Sequence, residues 1–335
     1  MFAQGTAPIG ALLRRTLLRA TACGLALPAL VSPVRAADYP ARPVRIVVPY
    51  APGGAVDTLA RRMAQQLTVR LGQTFLVDNK SGASSTIGTA EVARSAPDGL
   101  TLLAVENTFT VLPAIFNTLP FDHANGFSPI TVTAISPVLL ITGARSSYRT
   151  LGELLDAARR QPDKVSYGSG GVGSSLHLSA ELLQQATGIK MFHVAYRGGG
   201  DAVRAALTGE VDCVLTSPGS SLSGIQGGLL RGLAICGQNR AASLPDVPTF
   251  AEAGLPGIDI TNWSGLAAPR GTPQSIIDTL YQAMVAALRD EDMAGFLTSL
   301  ASSPGGMPPV EFAAMIRRES EIWGEVVRRA GIERQ

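Results

Sequence analysis

The sequence predicts an α/β protein with largely parallel or mixed sheets, arranged in two lobes, and three observations predict it. A short β-branched or apolar run, a glycine-rich turn and a helical stretch recur along the chain, and such alternation defines this class. At 335 residues the chain is too long for one small domain and suits two lobes. Hydrophobic residues make up 46% and charged residues 16%, which is enough apolar material for substantial cores and excludes wholesale disorder.

In chain order, residues 1–36 read first as a signal peptide. Arg14 and Arg15 head a basic region, Ala20 to Val31 form an apolar stretch, and Val34-Arg35-Ala36 offers a cleavage site, for a mature start near Ala37. The apolar run is too short to span a bilayer, so the mature protein is not expected to be embedded in a membrane. Arg14-Arg15-Thr16-Leu17-Leu18 resembles a twin-arginine signal, although Leu13 replaces the usual Ser or Thr. Both that route and the general secretory one stay open. Cys23 does not make a lipoprotein signal, because Ala20 is a poor lipobox residue and Arg19 interrupts the apolar run. Taking Arg14, Arg15, Arg19 and Arg35 from the 28 basic side chains leaves 24 against 26 acidic ones. A nearly neutral mature chain lacks the footprint of a nucleic-acid binder and the basic amphipathic stretch of a membrane-surface protein.

The mature elements follow. Val44 to Val48 is a strand, Pro52-Gly53-Gly54 a turn, and Asp57 to Leu71 an amphipathic helix with Asp57 as its N-cap. Thr74 to Val77 and Leu100 to Val105 are strands, separated by a helical stretch over Thr86 to Arg94. Val138 to Thr142 is a strand without a glycine turn after it. Val165-Ser166-Tyr167 leads through Gly168 to Gly173 into a helix near Ser174, and Phe192-His193-Val194 leads into a helix at Asp201. Val211 to Leu215 and Leu233 to Ile235 are strand-like and carry Cys213 and Cys236. Two cysteines do not make a disulfide framework, and buried thiols fit equally well. Thr272-Pro273 starts a helix, with Thr as cap and Pro at the first helical position, that runs to about Leu288. A last helix covers Pro309 to Arg329.

Reactive groups are few. Gly168-Ser169-Gly170-Gly171-Val172-Gly173 fits G-x-G-x-x-G between a strand and a helix. The next strand, however, ends at Tyr196-Arg197 without the acidic residue that would hold a ribose hydroxyl. No G-x-S-x-G elbow occurs. His123, His177 and His193 make no metal-ligand pair with one another or a cysteine, and read as structural. No cofactor, metal or catalytic residue is expected.

What remains is the recurrent glycine turn at a helix start. The first N–H groups of a helix lack internal partners, and glycine lets a ligand approach them without a Cβ in the way. Several such turns lining one crevice suit a carboxylate. A helix dipole contributes about 0.3–1 kcal/mol, against about 8 kcal/mol for micromolar binding. Direct hydrogen bonds and exclusion of water must supply the rest. Thr108, Ser169, Ser174 and Ser175 are suitable donors.

From Tyr39 to Ile332 the chain resembles the Bug-type receptors of tripartite tricarboxylate transporters. The matching blocks are Tyr39-Pro40-Ala41-Arg42-Pro43, Val48-Pro49-Tyr50-Ala51-Pro52-Gly53-Gly54 with Asp57, and Ala96-Pro97-Asp98-Gly99. Then come Tyr167 to Gly171, Gly173 to Leu178, His193 to Gly198, Leu244 to Thr249, Glu252 to Gly257, Ala268-Pro269 and Gly271-Thr272-Pro273. Each block is weak alone, but their order and spacing are specific. The resemblance implies a periplasmic "Venus flytrap" whose chain crosses twice between lobes, near Val138 to Thr142 and Gly257 to Asn262. Lobe one would hold residues 37–140 and 262–335, and lobe two residues 141–261. It also implies a monomeric receptor, not an enzyme, that delivers a small organic carboxylate to membrane transporter subunits. The carried-over site is Ala51, Pro52, Gly53, Gly54 and Ala55 with Asp57, then Asn107 and Thr108. On lobe two it comprises Ser169, Gly170, Gly171, Val172, Gly173, Ser174 and Ser175, with Tyr196 and Thr216.

Three positions depart from the family pattern. Glu106-Asn107-Thr108-Phe109 replaces a Thr-rich turn, Leu112 replaces a common Asn, and Thr216-Ser217 stands where many relatives carry Asp-Asn. The last removes an acidic partner for a ligand amine, so the expected ligand is a non-amino acid, either an aliphatic diacid or an aromatic acid. Glu106 is the specificity candidate, accepting a hydrogen bond from a ligand hydroxyl or amine. The alternative for Glu106 is an outward-facing surface residue. Two other functions stay open at this point. One is a receptor that presents its ligand to a sensor kinase, the other an exported nucleotide-dependent oxidoreductase.

Overall fold

The computed structural model describes residues 39–335 except Asp259, together with Met1. The expected signal peptide therefore lies outside the described residues, Met1 apart. The first unit follows its hydrophobicity. β1 (Val44–Val48) is buried at every position but Arg45, as a strand covered on both faces must be. It lies between β2 (Phe75–Asn79) and β3 (Thr101–Glu106), parallel to both. Between β1 and β2, α1 (Ala55–Leu71) buries Leu59, Met63 and Leu67, the stripe its four-residue spacing predicts. Its start differs from expectation. Gly54, in extended backbone, is the N-cap, so Asp57 lies in the first turn of the helix.

α2 (Thr86–Ala93) joins β2 to β3. Two elements with no signal in the sequence reading come next: α3 (Thr108–Ile115), which contains Pro113, and the long strand β4 (Phe127–Pro137). β5 (Leu139–Gly143), α4 (Leu151–Arg160), β6 (Ser166–Ser169) and α5 (Ser175–Thr187) follow. Gly168 thus belongs to the strand rather than to the turn. β7 (Phe192–Ala195), α6 (Gly199–Thr208), β8 (Cys213–Thr216), α7 (Pro218–Gln226) and β9 (Leu230–Ile235) complete this part. α6 begins two residues before Asp201. Cys213 and Cys236 are buried thiols.

The chain closes with β10 (Thr261–Pro269), α8 (Gln274–Leu288), α9 (Glu291–Ser299), β11 (Ser303–Pro304) and α10 (Pro309–Arg329). Pro273 is the N-cap of α8, one residue later than expected. The Thr272 hydroxyl instead donates back to Pro269 O at 2.8 Å.

These strands form two sheets. One is six-stranded, in the order β11-β4-β10-β3-β1-β2, and the other is five-stranded, in the order β7-β6-β8-β5-β9. Strand β10 runs antiparallel to β3 and β4. The chain leaves the first sheet after Pro137 and pairs into the second from Leu139, so Leu139 and Leu140 join the second sheet. It returns through Ile260 to β10. The two passages run side by side, with Val138 N donating to Ile260 O at 3.0 Å. Apolar clusters pack on each face of each sheet. In one of them Leu178 of α5 joins Ile115 of α3 and Ile316 of α10, an apolar contact between the two sheet units.

Candidate functional site

The turn after β1 carries Ala51, Pro52, Gly53, Gly54 and Ala55, all exposed. Gly53 has φ +83°, a left-handed conformation that favours glycine, and a Cβ there would meet nothing within 4 Å. Conformation rather than space therefore selects it. Asp57, buried in the first turn of α1, holds the loop from behind. Its carboxylate accepts from Gly53 N at 2.8 Å, Arg61 Nε at 3.0 Å and Asn79 Nδ2 at 2.9 Å. Burial pushes its pKa up, but these bonds outweigh it and the net shift is downward. Asp57 shapes the turn. Asp57→Ala should lower stability by about 1–3 kcal/mol, the range for lost charge-assisted bonds, in urea unfolding with an unchanged slope. An unaltered midpoint would show that the loop is held by other means.

A second group gathers where β3 meets α3. Glu106 is only 7% exposed, which removes the alternative of an outward-facing residue. Its carboxyl accepts from the Tyr50 hydroxyl and is hydrogen-bonded to the hydroxyl and N–H of Thr108 and to the Ser175 side chain. Burial raises its pKa most, and these hydrogen bonds draw it part of the way back. Tyr50 also bonds Ser85. Ser85 ends a run, Ala83-Ser84-Ser85, with φ of 44°, 50° and 73°. Left-handed backbone at three successive non-glycine residues is strain of the kind that collects at functional sites. Tyr50 stands in the matching block from Val48 to Gly54 but is not among the expected site residues, and for Ser85 the small-residue run before α2 was the available signal.

The third group is the turn from β6 into α5. Ser174 caps α5, its Oγ accepting from His177 N at 3.3 Å, and Ser175 N donates to Thr108 Oγ1 at 3.4 Å. Gly170 packs on the backbone of Gly198 and Gly199, and a Cβ at Gly173 would lie 2.6 Å from Ile115 Cδ1. Val172 is exposed and Gly171 half-buried. Beneath the turn His177 and His193 are stacked on one another, a contact the sequence reading did not anticipate. His177 stacks on His193 with centroids 3.9 Å apart, and Tyr167 stacks on His193 at 4.9 Å. His177 Nδ1 accepts from Gly173 N at 3.0 Å, and Ser169 Oγ lies 2.7 Å from His193 Nε2. Desolvation lowers the pKa of His177 to about 3, helped by the charge of His193, and that of His193 to about 4. Both are neutral at pH 7.

Other expected site residues stand apart from the turns. Asn107 is committed to β10, its Oδ1 accepting from Trp263 N at 2.5 Å. The Tyr196 hydroxyl donates to Glu210 at 2.9 Å, while its ring lies over Gly168. Thr216 is buried at the end of β8, one strand from β6. A recess of about 540 Å³ lined by Val105, Phe109, His123, Phe127, Arg270 and Arg317 lies on the first sheet unit and touches neither turn.

Two α/β units joined by paired crossings, with Tyr50 of one and Ser175 of the other meeting at Glu106, have the architecture of a periplasmic binding protein. The profile described as "Tripartite tricarboxylate transporter family receptor" matches residues 59–332, and the chain belongs to this family. BugT of Bordetella pertussis is 32% identical over 309 residues, 92% of this chain and 95% of BugT. The solved structure of Rpa4515 of R. palustris with adipate superposes with a TM-score of 0.84 at 32% identity, covering 89% of this chain and 100% of that one. MatC from Rhodopseudomonas palustris with bound malate gives 0.79 at 32% identity, over 86% and 100%. The family resemblance and the fold expected from the sequence both hold.

Proposed function

We propose that this periplasmic solute-binding protein captures a small, non-amino organic carboxylate between its lobes and delivers it to membrane subunits of a tripartite tricarboxylate transporter. One observation carries the reading: donors from the loop after β1 and from the start of α5 meet at a single point, although they belong to different sheets. The carboxylates held by the two solved relatives support it. The lobes are the first sheet unit, to Pro137 and again from Thr261, and the second sheet unit between them from Leu139, a shift of one to three residues from the expected bounds; closure turns on the paired passages at Val138 and Ile260, which absorb rotation more readily than packed sheets. The ligand is held by Ala51 to Ala55 and Ser169 to Ser175 with Thr108. Asp57 and Asn107 position these groups. Residues 1–36 direct export and the mature receptor is a monomer. Against an oxidoreductase, the strand after the glycine turn runs into Tyr196-Arg197 and carries no acidic residue for a ribose hydroxyl.

Thermal-shift screening of the chain from Ala37 against organic acids should raise the melting temperature for a small set of non-amino acids, since a ligand that binds only the folded state stabilises it. Aspartate, glutamate and NADPH should give no shift. Preferential binding of aspartate or glutamate by calorimetry would overturn the non-amino assignment, and stabilisation by NADPH alone would overturn the receptor reading.

A further inference from the structure

Glu106 stands at the meeting point of the two turns. Tyr50, which bonds it, leads directly into Ala51, and Ser175, which also bonds it, directly follows the turn from β6. Thr108, the third partner, opens α3. These donors come from both sheet units, and they are the groups that a carboxylate entering the cleft would seek. The Tyr50 hydroxyl donates to its carboxyl, and the Thr108 hydroxyl and N–H and the Ser175 side chain also act on it. Protein donors from both sheet units therefore engage Glu106 before any ligand enters.

Glu106 forms no ion pair with a lysine, arginine or histidine among the described residues. The charged groups nearby are Glu319 on α10, whose own pKa is raised by burial and to a lesser extent by Glu106, and Arg318, which acts on Glu319 in the opposite sense. Trp263 Nε1 binds the Glu319 carboxyl at 2.7 Å. The surroundings of Glu106 are therefore already acidic.

We propose that Glu106 is an internal anion standing where donors of the two sheet units meet, in the place a ligand carboxylate would take, so that the receptor selects acids with one carboxylate and a neutral far end over dicarboxylic acids. The inference rests on the proposed capture of a carboxylate and narrows it. A second ligand carboxylate would find the shared donors already bound and would lie against a buried negative group without a counter-ion. Adipate and malate, bound by the two relatives above, are dicarboxylic acids, so the ligand class of this chain diverges from theirs.

The test is calorimetry on the chain from Ala37 with matched acids: hexanoate against adipate, butyrate against succinate, and benzoate against terephthalate. In the unaltered protein the monoacid of at least one pair should bind at least 30-fold more tightly than its diacid. Glu106→Gln should narrow that ratio below about three-fold, and Glu106→Thr, which also vacates the space, should reverse it. A diacid preference in the unaltered protein overturns the inference while leaving the carboxylate reading intact, and so does a ratio unchanged in both variants. Binding of neither class overturns the carboxylate reading and this inference with it. The comparison within the unaltered protein stands even if a variant does not fold.

Discussion

Gly173→Ala is expected to weaken ligand capture by more than 100-fold. Gly173 has φ +74°, where a Cβ costs about 1–2 kcal/mol. The same Cβ would lie 2.6 Å from Cδ1, 2.8 Å from Cγ2 and 3.3 Å from Cβ of Ile115. Cδ1 can swing away, but Cγ2 and Cβ are fixed to the body of α3. Relief requires the turn to move or the two units to separate, and overpacking of this kind costs about 1–3 kcal/mol. The sum, about 3 kcal/mol, corresponds to a factor above 100. Gly171→Ala separates the two causes: Gly171 has φ +122°, but the nearest atom to a Cβ there is Tyr196 O at 3.5 Å. It should suffer the conformational cost alone and lose less affinity. Ile115→Ala in the Gly173→Ala background should restore part of the binding by removing the overlap. Calorimetric titration of the four proteins checks this, and equal losses for both glycine variants would show that contact with α3 plays no part.

The elements legible in the sequence are those whose burial follows a single period. β1 is β-branched at every position but Arg45, and α10 carries Phe312, Ile316, Trp323 and Val327 on one buried face. α3 breaks the rule because it is buried at nearly every position over eight residues, so it has no polar face to mark a helical period, and Pro113 reads as a breaker. β4 is obscured by Thr131 and Thr133, polar residues that are fully buried because their hydroxyls donate to Met307 O and Ser264 O. α4 was readable from its capping box, Thr150 to Glu153, a signal that the sequence reading did not use.

The site divides in the same way. The glycine turns are visible because a helix start and a positive φ impose local composition. Tyr50, Ser85 and the His177–His193 stack are not, because separate elements bring them together. Asp57, expected as the N-cap, lies in the first turn instead, since composition reports that an acid serves the helix start and not which N–H it takes. The family pattern marked Glu106 as unusual. Only the fold shows that its carboxyl is satisfied from both sides.

Acidification from pH 7.5 to pH 5 should destabilise the protein. In the unfolded chain a histidine takes up its proton near pH 6.5, whereas folded His177 and His193 resist until about 3 and about 4. Between those limits the unfolded state binds more protons, so stability is full above pH 6.5 and falls as pH drops through the window. By pH 5 the loss is on the order of 2 kcal/mol for each histidine. Glu106 and Glu319, whose pKa values are raised, act in the opposite sense, since folding eases as they take up protons. Asp57, lowered, weakens the fold only below the usual carboxylate range. The folded rings stay neutral at pH 5, so the bond from Gly173 N to His177 Nδ1 persists there and the loss acts through the unfolded state. Only below about pH 4 should protonation of the stacked rings break that bond and lower ligand affinity as well. His177→Asn/His193→Asn removes both titrating rings, so urea unfolding of this variant should show a much smaller loss over the same interval. If the variant and the unaltered protein lose the same stability between pH 7.5 and pH 5, the stacked pair is not the acid-sensitive element.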